Sequence, residues 1–150
     1  SYSDLSVEPV AFECVCMMPP GHPLAERGTL TPEDLDGVPF VSILRDHMTY
    51  PQISAAVLGC NARWNVVAEV QYFVTAAEMI ARGTGVGLVD PITARGFAAR
   101  AEFRPFSPAV TYEFGLITAS SGEMSISATN FLAMLREELA ALSAWSAARA

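Results

Sequence analysis

The segment FECVCMM at residues 12–18 decides the fold, together with its counterpart YEFGLIT at residues 112–118. Both segments are apolar and contain β-branched and aromatic residues, which predicts strands, and PPG at residues 19–21 ends the first. They are the two longest strand candidates, and they bracket most of the chain. If both belong to one sheet, the residues between them form a separate lobe that the chain enters and leaves by two crossings. A cleft between two lobes is a common place for a ligand.

Between these two strands, predicted strands alternate with predicted helices. Short apolar segments predict the strands. Helical spacing of apolar residues, with Thr, Asp or Pro at the start and Gly at the end, predicts the helices. This alternation favours an α/β fold with a mainly parallel sheet. The predicted strands are 38–43, 64–70, 86–89 and 102–106, and the predicted helices are 31–37, 50–58, 73–82, 90–98 and a final one that includes 131–142.

The composition is that of one folded domain and argues against several classes of protein. The chain has 150 residues, of which 51% are hydrophobic and 17% are charged, so disorder is not expected. A membrane span is not expected either, since no apolar run approaches about 18 residues. The net charge is −7 and all nine basic residues are arginine, so this chain alone should not hold nucleic acid. Cys14, Cys16 and Cys60 lack metal-ligand spacing and are predicted to be buried free thiols.

Little in the sequence supports catalysis or a cofactor. The two histidines are His22, in a Gly-His-Pro turn, and His47, in a loop before a helix. Neither has a catalytic partner in a local motif, and metalloprotease, nucleophile-elbow and P-loop motifs are missing. GTGVG at residues 83–87 leads from a helix into a strand, whereas a phosphate-binding loop leaves a strand and opens a helix. We predict a structural turn there, no enzymatic activity, no metal and no cofactor.

Three loops do run from a strand into a helix, at residues 42–50, 70–73 and 90–91. In a parallel sheet such loops gather at the carboxyl ends of the strands, where helix starts present N–H donors that suit a carboxylate. Hydroxyl groups, an arginine, aromatic rings and a carboxylate would meet there, which predicts a small-molecule site. The candidate ligand-binding residues are Ser42, Arg45, Thr49, Tyr72, Phe73 and Asp90.

Each candidate also has a purely structural alternative. Thr49 and Asp90 stand where helices begin, so the alternative for both is a helix cap. The alternative for Tyr72 and Phe73 is a place in the core, and for Arg45 it is a solvated loop. The convergence of three loops, rather than any single residue, favours the ligand site.

Several segments resemble a known family. CMMPPGHPLA at residues 16–25, followed by TPEDL at 31–35, resembles the lobe crossing of LysR-type transcriptional regulators. AEMIARGTGVGLVDP at 77–91 is similar to the helix–glycine–strand–proline stretch of their effector domain, and residues 112–142 match its closing strand and helix more weakly. The resemblance implies an α/β fold like that of type 2 periplasmic binding proteins, with two lobes joined by crossover strands and the first lobe incomplete in this chain.

The resemblance also divides the chain. It implies the end of the first lobe and a crossover strand in residues 1–18, the second lobe in 19–108, and the return strand and C-terminal helix of the first lobe in 109–150. Residues 1–10 contain no initiating methionine and no signal peptide, so the chain is expected to be a fragment. A DNA-binding helix-turn-helix and the opening β-α-β portion of the first lobe are expected to precede it.

The family further implies that an effector binds in the cleft between the lobes. Residues 41–49 and 87–91 are most similar to regulators of opine and basic amino acid metabolism, which implies an amino acid, an opine-like conjugate or another small acid. The implied contacts are Ser42, Arg45, Tyr72, Phe73 and Asp90. Further expectations are a homodimer or tetramer, a cytoplasmic location, no membrane partner, and DNA contact only through the absent helix-turn-helix. The alternatives are a solute-binding protein of a transport system, and an enzyme on the same scaffold with Asp90 or His47 as general acid.

Overall fold

The computed structural model describes residues 5–60, 62–119 and 124–147, and the expectations for other residues, including 1–4 and 148–150, lie outside them. Two short 3-10 helices cover Pro23–Glu26 and Pro32–Leu35, the second at the place of the predicted helix 31–37. The remaining elements, in chain order, are β1 (Leu5–Glu13), β2 (Val15–Met18), β3 (Pro39–Ile43), α1 (Tyr50–Leu58), β4 (Asn65–Val70), α2 (Phe73–Ala81), β5 (Gly87–Val89), α3 (Pro91–Gly96), β6 (Glu102–Pro105), β7 (Thr111–Ala119) and α4 (Ile126–Ala147).

Strands β1 and β7 form a two-stranded antiparallel ribbon. Their register runs without interruption from Leu5 opposite Ala119 to Glu13 opposite Thr111. On one face the ring of Phe12 lies 5.9 Å from that of Phe114, and such cross-strand aromatic contacts stabilise antiparallel pairs. Strands β1 and β7 therefore belong to one sheet, although β1 includes only residues 12–13 of the predicted strand 12–18.

The other strands lie in the order β4–β3–β5–β2–β6. Strand β2 pairs with both β5 and β6 in the antiparallel sense, and β3 pairs with β4 in the parallel sense. A parallel bridge between Phe40 and Val86 joins β3 to β5. Strands β4, β3 and β5 therefore end at the same edge of the sheet, and β2 begins there.

Two of the expectations about strands are wrong. The sheet is mixed rather than mainly parallel, because the chain enters it through an interior strand, β2, that is antiparallel to both of its neighbours. The predicted strand 12–18 is divided into two strands at Cys14, and the first begins earlier, at Leu5. The division arises because β1 pairs with β7, whereas β2 pairs with β5 and β6.

The glycine-rich segment 83–87 is a turn that lets β5 approach β3 closely. The backbone N–H of Val86 donates to the Pro39 carbonyl at 2.8 Å, and the N–H of Val41 donates to the Val86 carbonyl at 2.8 Å. A Cβ atom at Gly85 would overlap the carbonyl oxygen of Pro39. The prediction of a structural turn is confirmed, and the glycines there make room for a neighbouring strand.

Helix α4 touches both the ribbon and the five-stranded part of the molecule. The Arg136 guanidinium donates to the Glu8 carboxylate on β1 at 2.6 Å. The Arg95 guanidinium, at the end of α3, donates to Glu138 at 3.3 Å. The ring of Trp145 lies 5.6 Å from that of Phe103 on β6. The amphipathic helix predicted from residue 131 onward is present and begins earlier, at Ile126.

Cys14 and Cys16 are buried free thiols, as predicted, whereas Cys60 is only half-buried. Burial, with a contribution from the Asp90 carboxylate, raises the pKa of the Cys14 thiol, and burial raises the pKa of Cys16 to about 12.

Because alkylation needs an accessible thiolate, we expect iodoacetamide at pH 8 to label Cys60 in the native protein. Cys14 and Cys16 should react only after unfolding. Peptide mass spectrometry checks this expectation, and rapid native labelling of Cys16 would contradict it.

Candidate functional site

The three predicted loops meet the ribbon at one edge of the sheet. Because β4, β3 and β5 end there, the loops that lead into α1, α2 and α3 leave from the same edge. The N–H of Leu44 donates to the Val70 carbonyl at 2.9 Å, which joins the first two loops. The N–H of Cys14 donates to the Val110 carbonyl at 2.7 Å, where the chain passes between ribbon and sheet. We call this region the crossover edge.

Three rings form an aromatic cluster at the crossover edge. The His47 ring lies edge-on to that of Phe73, with centroids 5.0 Å apart, and is stacked on that of Tyr112 at 6.5 Å. Phe73 also meets Tyr112 edge-on at 5.7 Å. Phe73 is buried at the start of α2, while Tyr112 lies on β7. The cluster therefore links the first two loops to the ribbon.

Thr49 fixes the position of the His47 ring. Thr49 is fully buried, and its backbone N–H donates to Nδ1 of His47 at 3.3 Å, while its Oγ1 lies 2.9 Å from the same nitrogen. It occupies the N-cap position of α1, but its side chain makes no capping bond. The alternative that Thr49 is only a helix cap is therefore wrong.

Gln52 ties α1 to the first residue of β7. Its side-chain amide donates to the Thr111 carbonyl at 2.9 Å and accepts the Thr111 N–H at 2.7 Å. The contacts of Gln52 and Tyr112 are not predictable from the sequence, because the partners are far apart in the chain. No local pattern signals them, and a set of aligned homologues with covarying positions would be the signal to use.

Removal of the Gln52 side chain should loosen this link measurably. We expect Gln52→Ala to lower the free energy of unfolding by about 1–2 kcal/mol, because two hydrogen bonds to Thr111 are lost at a partly solvated position. Gln71→Ala is the matched control, since Gln71 is exposed and makes no side-chain hydrogen bond within the described part of the chain. Urea denaturation checks both variants, and equal stability of the two would contradict the expectation.

Ser42 and Arg45 line a cavity that none of the three residues of the aromatic cluster lines. The cavity measures about 360 Å³ and lies between α1 and the neighbouring face of β3 and β4. Ser42 is buried, and its hydroxyl donates to the Ile43 carbonyl at 3.1 Å. Arg45 is exposed and has no ion-pair partner among the residues that the structure describes. The other lining residues include Tyr50, Ile53, Ser54, Val57, Trp64, Val66 and Glu69.

Tyr72 and Asp90 have different surroundings. Tyr72 is 62% exposed at the N-cap position of α2, so its alternative as a core residue is wrong. Phe73, its neighbour, is a core residue that also belongs to the aromatic cluster. Asp90 is buried and caps α3, since its Oδ1 accepts the Thr93 N–H at 3.0 Å. The crossover edge thus contains all six predicted residues, of which Thr49 and Phe73 contact the His47 ring.

Within residues 5–60, 62–119 and 124–147, no group of three His, Cys, Asp or Glu side chains is placed to hold a metal ion. No helix in the described residues is both long enough and apolar enough to cross a membrane.

Two curated proteins are similar to this chain in sequence over part of their length. The regulatory protein NocR of Agrobacterium tumefaciens (strain T37) is 32% identical over 143 residues, which are 94% of this chain and 48% of NocR. The transcriptional activator protein LysR of Escherichia coli (strain K12) is 31% identical over 111 residues, or 73% of this chain and 36% of that protein. The chain therefore spans about half the length, or less, of these relatives.

Solved structures confirm the predicted fold class. The effector-binding domain of QuiR in complex with shikimate superposes with a TM-score of 0.64 at 14% identity, over 95% of this chain and 66% of that one. The regulatory domain of CcmR from Synechocystis PCC6803, in complex with 2-PG, gives 0.63 at 16% identity, over 93% and 67%. These are periplasmic-binding-protein-like α/β domains. The model of the LysR substrate binding domain matches residues 3–140, and the chain therefore belongs to that family, which forms the effector-binding part of LysR-type transcriptional regulators.

Proposed function

We propose that this chain senses a small-molecule effector at the crossover edge and relays its binding to a DNA-binding domain of the same protein. One observation carries the proposal: three strand-to-helix loops meet the ribbon at a single edge. Phe73, at the start of α2, contacts Tyr112 of the ribbon, and Gln52, on α1, contacts Thr111 of the ribbon. A ligand bound there would touch both parts of the molecule, and its differential contacts would bias their relative orientation.

The effector is an amino acid, an opine-like conjugate or another small acid. Arg45 is a cation without an ion-pair partner in the described residues, and it lines the same cavity as Ser42, Tyr50 and Ser54, which carry hydroxyl groups. A guanidinium with neighbouring hydroxyl groups suits a carboxylate. QuiR and CcmR, which share the fold, were solved with shikimate and with 2-PG. The exposed Tyr72 offers a further polar group, while Asp90 contributes through the position of α3 that its cap fixes.

In this proposal residues 1–18 contain the end of the first lobe and a crossover strand, β2, which pairs with strands of the second lobe. Residues 19–108 form the second lobe, and residues 109–150, with β7 and α4, return to the first. The remainder of the first lobe and a helix-turn-helix lie outside this chain, and the whole regulator works in the cytoplasm as a homodimer or tetramer. A change in the angle between the lobes would alter the spacing of the DNA-binding domains. To shift the population appreciably, an effector needs several kcal/mol of preference for one state.

The chain acts by binding rather than by catalysis. Asp90, one of the two candidates for a general acid, has one carboxylate oxygen engaged by the start of α3. His47, the other candidate, has its Nδ1 engaged by Thr49. Turnover of small acids by the wild type, lost in Asp90→Asn, would contradict this part of the proposal.

The test uses the full-length protein on its operator DNA. Octopine, L-arginine and shikimate serve as probes in isothermal titration, followed by DNase footprinting with and without each probe. We expect at least one probe to bind and to change the footprint. At a concentration of 100 times its Kd, that probe should also stabilise the protein by about 2.7 kcal/mol. Absence of binding and of any footprint change with every probe would contradict the proposal.

A further inference from the structure

The environment of His47 determines which of its ring nitrogens carries the proton. The backbone N–H of Thr49 can only donate, and it donates to Nδ1 of His47 at 3.3 Å. Nδ1 therefore acts as an acceptor, and in the neutral form of the imidazole this places the proton on Nε2. The Thr49 hydroxyl, 2.9 Å from Nδ1, can donate or accept, so it is compatible with this tautomer but does not select it.

The Nε2–H group of His47 is held in place and is not engaged by another group of the described residues. In the described part of the chain Nε2 has no hydrogen-bond partner, and it is not among the buried polar atoms that lack one. The rings of Phe73, in T-shaped geometry, and Tyr112, nearly parallel to His47, restrict rotation of the His47 ring. The result is a single N–H donor with a fixed direction, beside aromatic surface, at the crossover edge.

We infer that His47 is a specificity-determining residue of the effector site, whose Nε2–H donates to a carboxylate or carbonyl oxygen of the effector. This inference rests on the proposed function and narrows its ligand class. A neutral N–H donor can pair with an acceptor oxygen, whereas an ammonium or guanidinium group has no lone pair to offer it. The effector therefore presents an oxygen, and not its cationic end, to His47, with an apolar portion free to lie against Tyr112.

His22 provides an internal comparison. Its Nδ1 accepts the backbone N–H of Leu24 at 3.3 Å, which repeats the local geometry of His47 and Thr49. His22, however, caps the 3-10 helix Pro23–Glu26 and has no aromatic ring contact within the described residues. It therefore shares the tautomer of His47 without sharing its place at the crossover edge.

Two substitutions at His47 separate the two ring nitrogens. In His47→Asn the side-chain oxygen stands near the place of Nδ1, so it can still accept from Thr49, while the outer donor is lost. In His47→Gln the amide nitrogen stands near the place of Nε2 and restores a donor. The binding of octopine, L-arginine and shikimate to the full-length protein is measured by isothermal titration at pH 8, with His22→Asn as the control.

For the probe that the wild type binds, we expect His47→Asn to weaken affinity by at least about tenfold, the usual effect of losing a hydrogen bond to a charged group. His47→Gln should remain within about threefold of the wild type, and His22→Asn should be unchanged. If His47→Asn binds that probe as tightly as the wild type does, the inference is overturned and the proposed function stands. If the wild type binds none of the three probes, the proposed function is contradicted and the inference with it.

A measurement without any variant covers the case in which His47→Asn does not fold. Ring ¹⁵N NMR of the wild-type protein should show the Nε2-protonated tautomer for both His22 and His47. Addition of the bound probe should shift the His47 Nε2 resonance and leave that of His22 in place. A His47 resonance that does not move in the presence of a bound probe would overturn the inference.

Discussion

Replacement of Gly85 by alanine should prevent folding or lower the free energy of unfolding by more than about 3 kcal/mol, beyond the usual range for an overpacked site. The added Cβ would overlap the carbonyl oxygen of Pro39 and lie 2.7 Å from its carbonyl carbon. These are backbone atoms, so they cannot move aside as the end of a flexible side chain can. The same oxygen accepts the Val86 N–H, and separating β3 from β5 would therefore also break the bridge between them.

Urea denaturation of the full-length protein, followed by circular dichroism, measures this effect. Gly96→Ala is the matched control, because it adds the same methyl group at the end of α3, where nothing lies within 4 Å of the new atom. That variant should stay within about 1 kcal/mol of the wild type or be slightly more stable. A Gly85→Ala protein with wild-type stability would show that β3 and β5 are not this close.

Replacement of Phe73 by alanine should lower the free energy of unfolding by about 3–5 kcal/mol, as for other buried phenylalanines. Phe73 is buried at the first position of α2, and its ring contacts those of His47 and Tyr112. Its loss would leave a cavity and remove the side chain that holds the second loop against the ribbon. We therefore also expect the response to effector in footprinting to be lost.

Two further variants serve as comparisons, one with another apolar side chain at position 73 and one that shortens the exposed neighbour Val74. Phe73→Leu should cost less than about 1.5 kcal/mol of stability, because leucine fills most of the space. Val74→Ala, at the next position, should change stability by no more than about 0.5 kcal/mol, since Val74 is 57% exposed. Chemical denaturation of all three variants checks the series, and a loss for Phe73→Ala no greater than for Val74→Ala would contradict it.

The elements with strong local signals were predicted well. The bounds of α1, Tyr50–Leu58, agree with the prediction, because Pro51 marks its start and Gly59 its end. The turn at residues 83–87 was also predicted, because glycine spacing between a helix and a strand is a local feature. The strand patterns raised the pairing of the two ends of the chain only as a condition, and the resemblance to a family added the two-lobed fold in which it takes part.

The features that depend on distant partners were not predictable from one sequence. The break at Cys14 arises because β1 and β2 have different neighbours, which apolar character alone does not specify. His47 and Tyr112 come together only through the tertiary fold. The alternation of side chains along a strand likewise does not tell which element covers each face, so it could not show that Ser42 would lie in a cavity under α1. The path of the loop before α2, which the sequence does not specify, brings Phe73 into the aromatic cluster.

The uninterrupted register of the ribbon limits how the molecule can move. A slip by one residue between β1 and β7 would reverse the face on which every side chain lies, Phe12 and Phe114 included, so the two strands cannot slide past each other. The backbone changes partners at Cys14 and Val110, where ribbon and sheet meet. Rotation of the ribbon at this point would keep the β1–β7 hydrogen bonds but would have to move the contacts that Thr111 and Tyr112 make outside the ribbon. Translation along the strands would break the whole ladder.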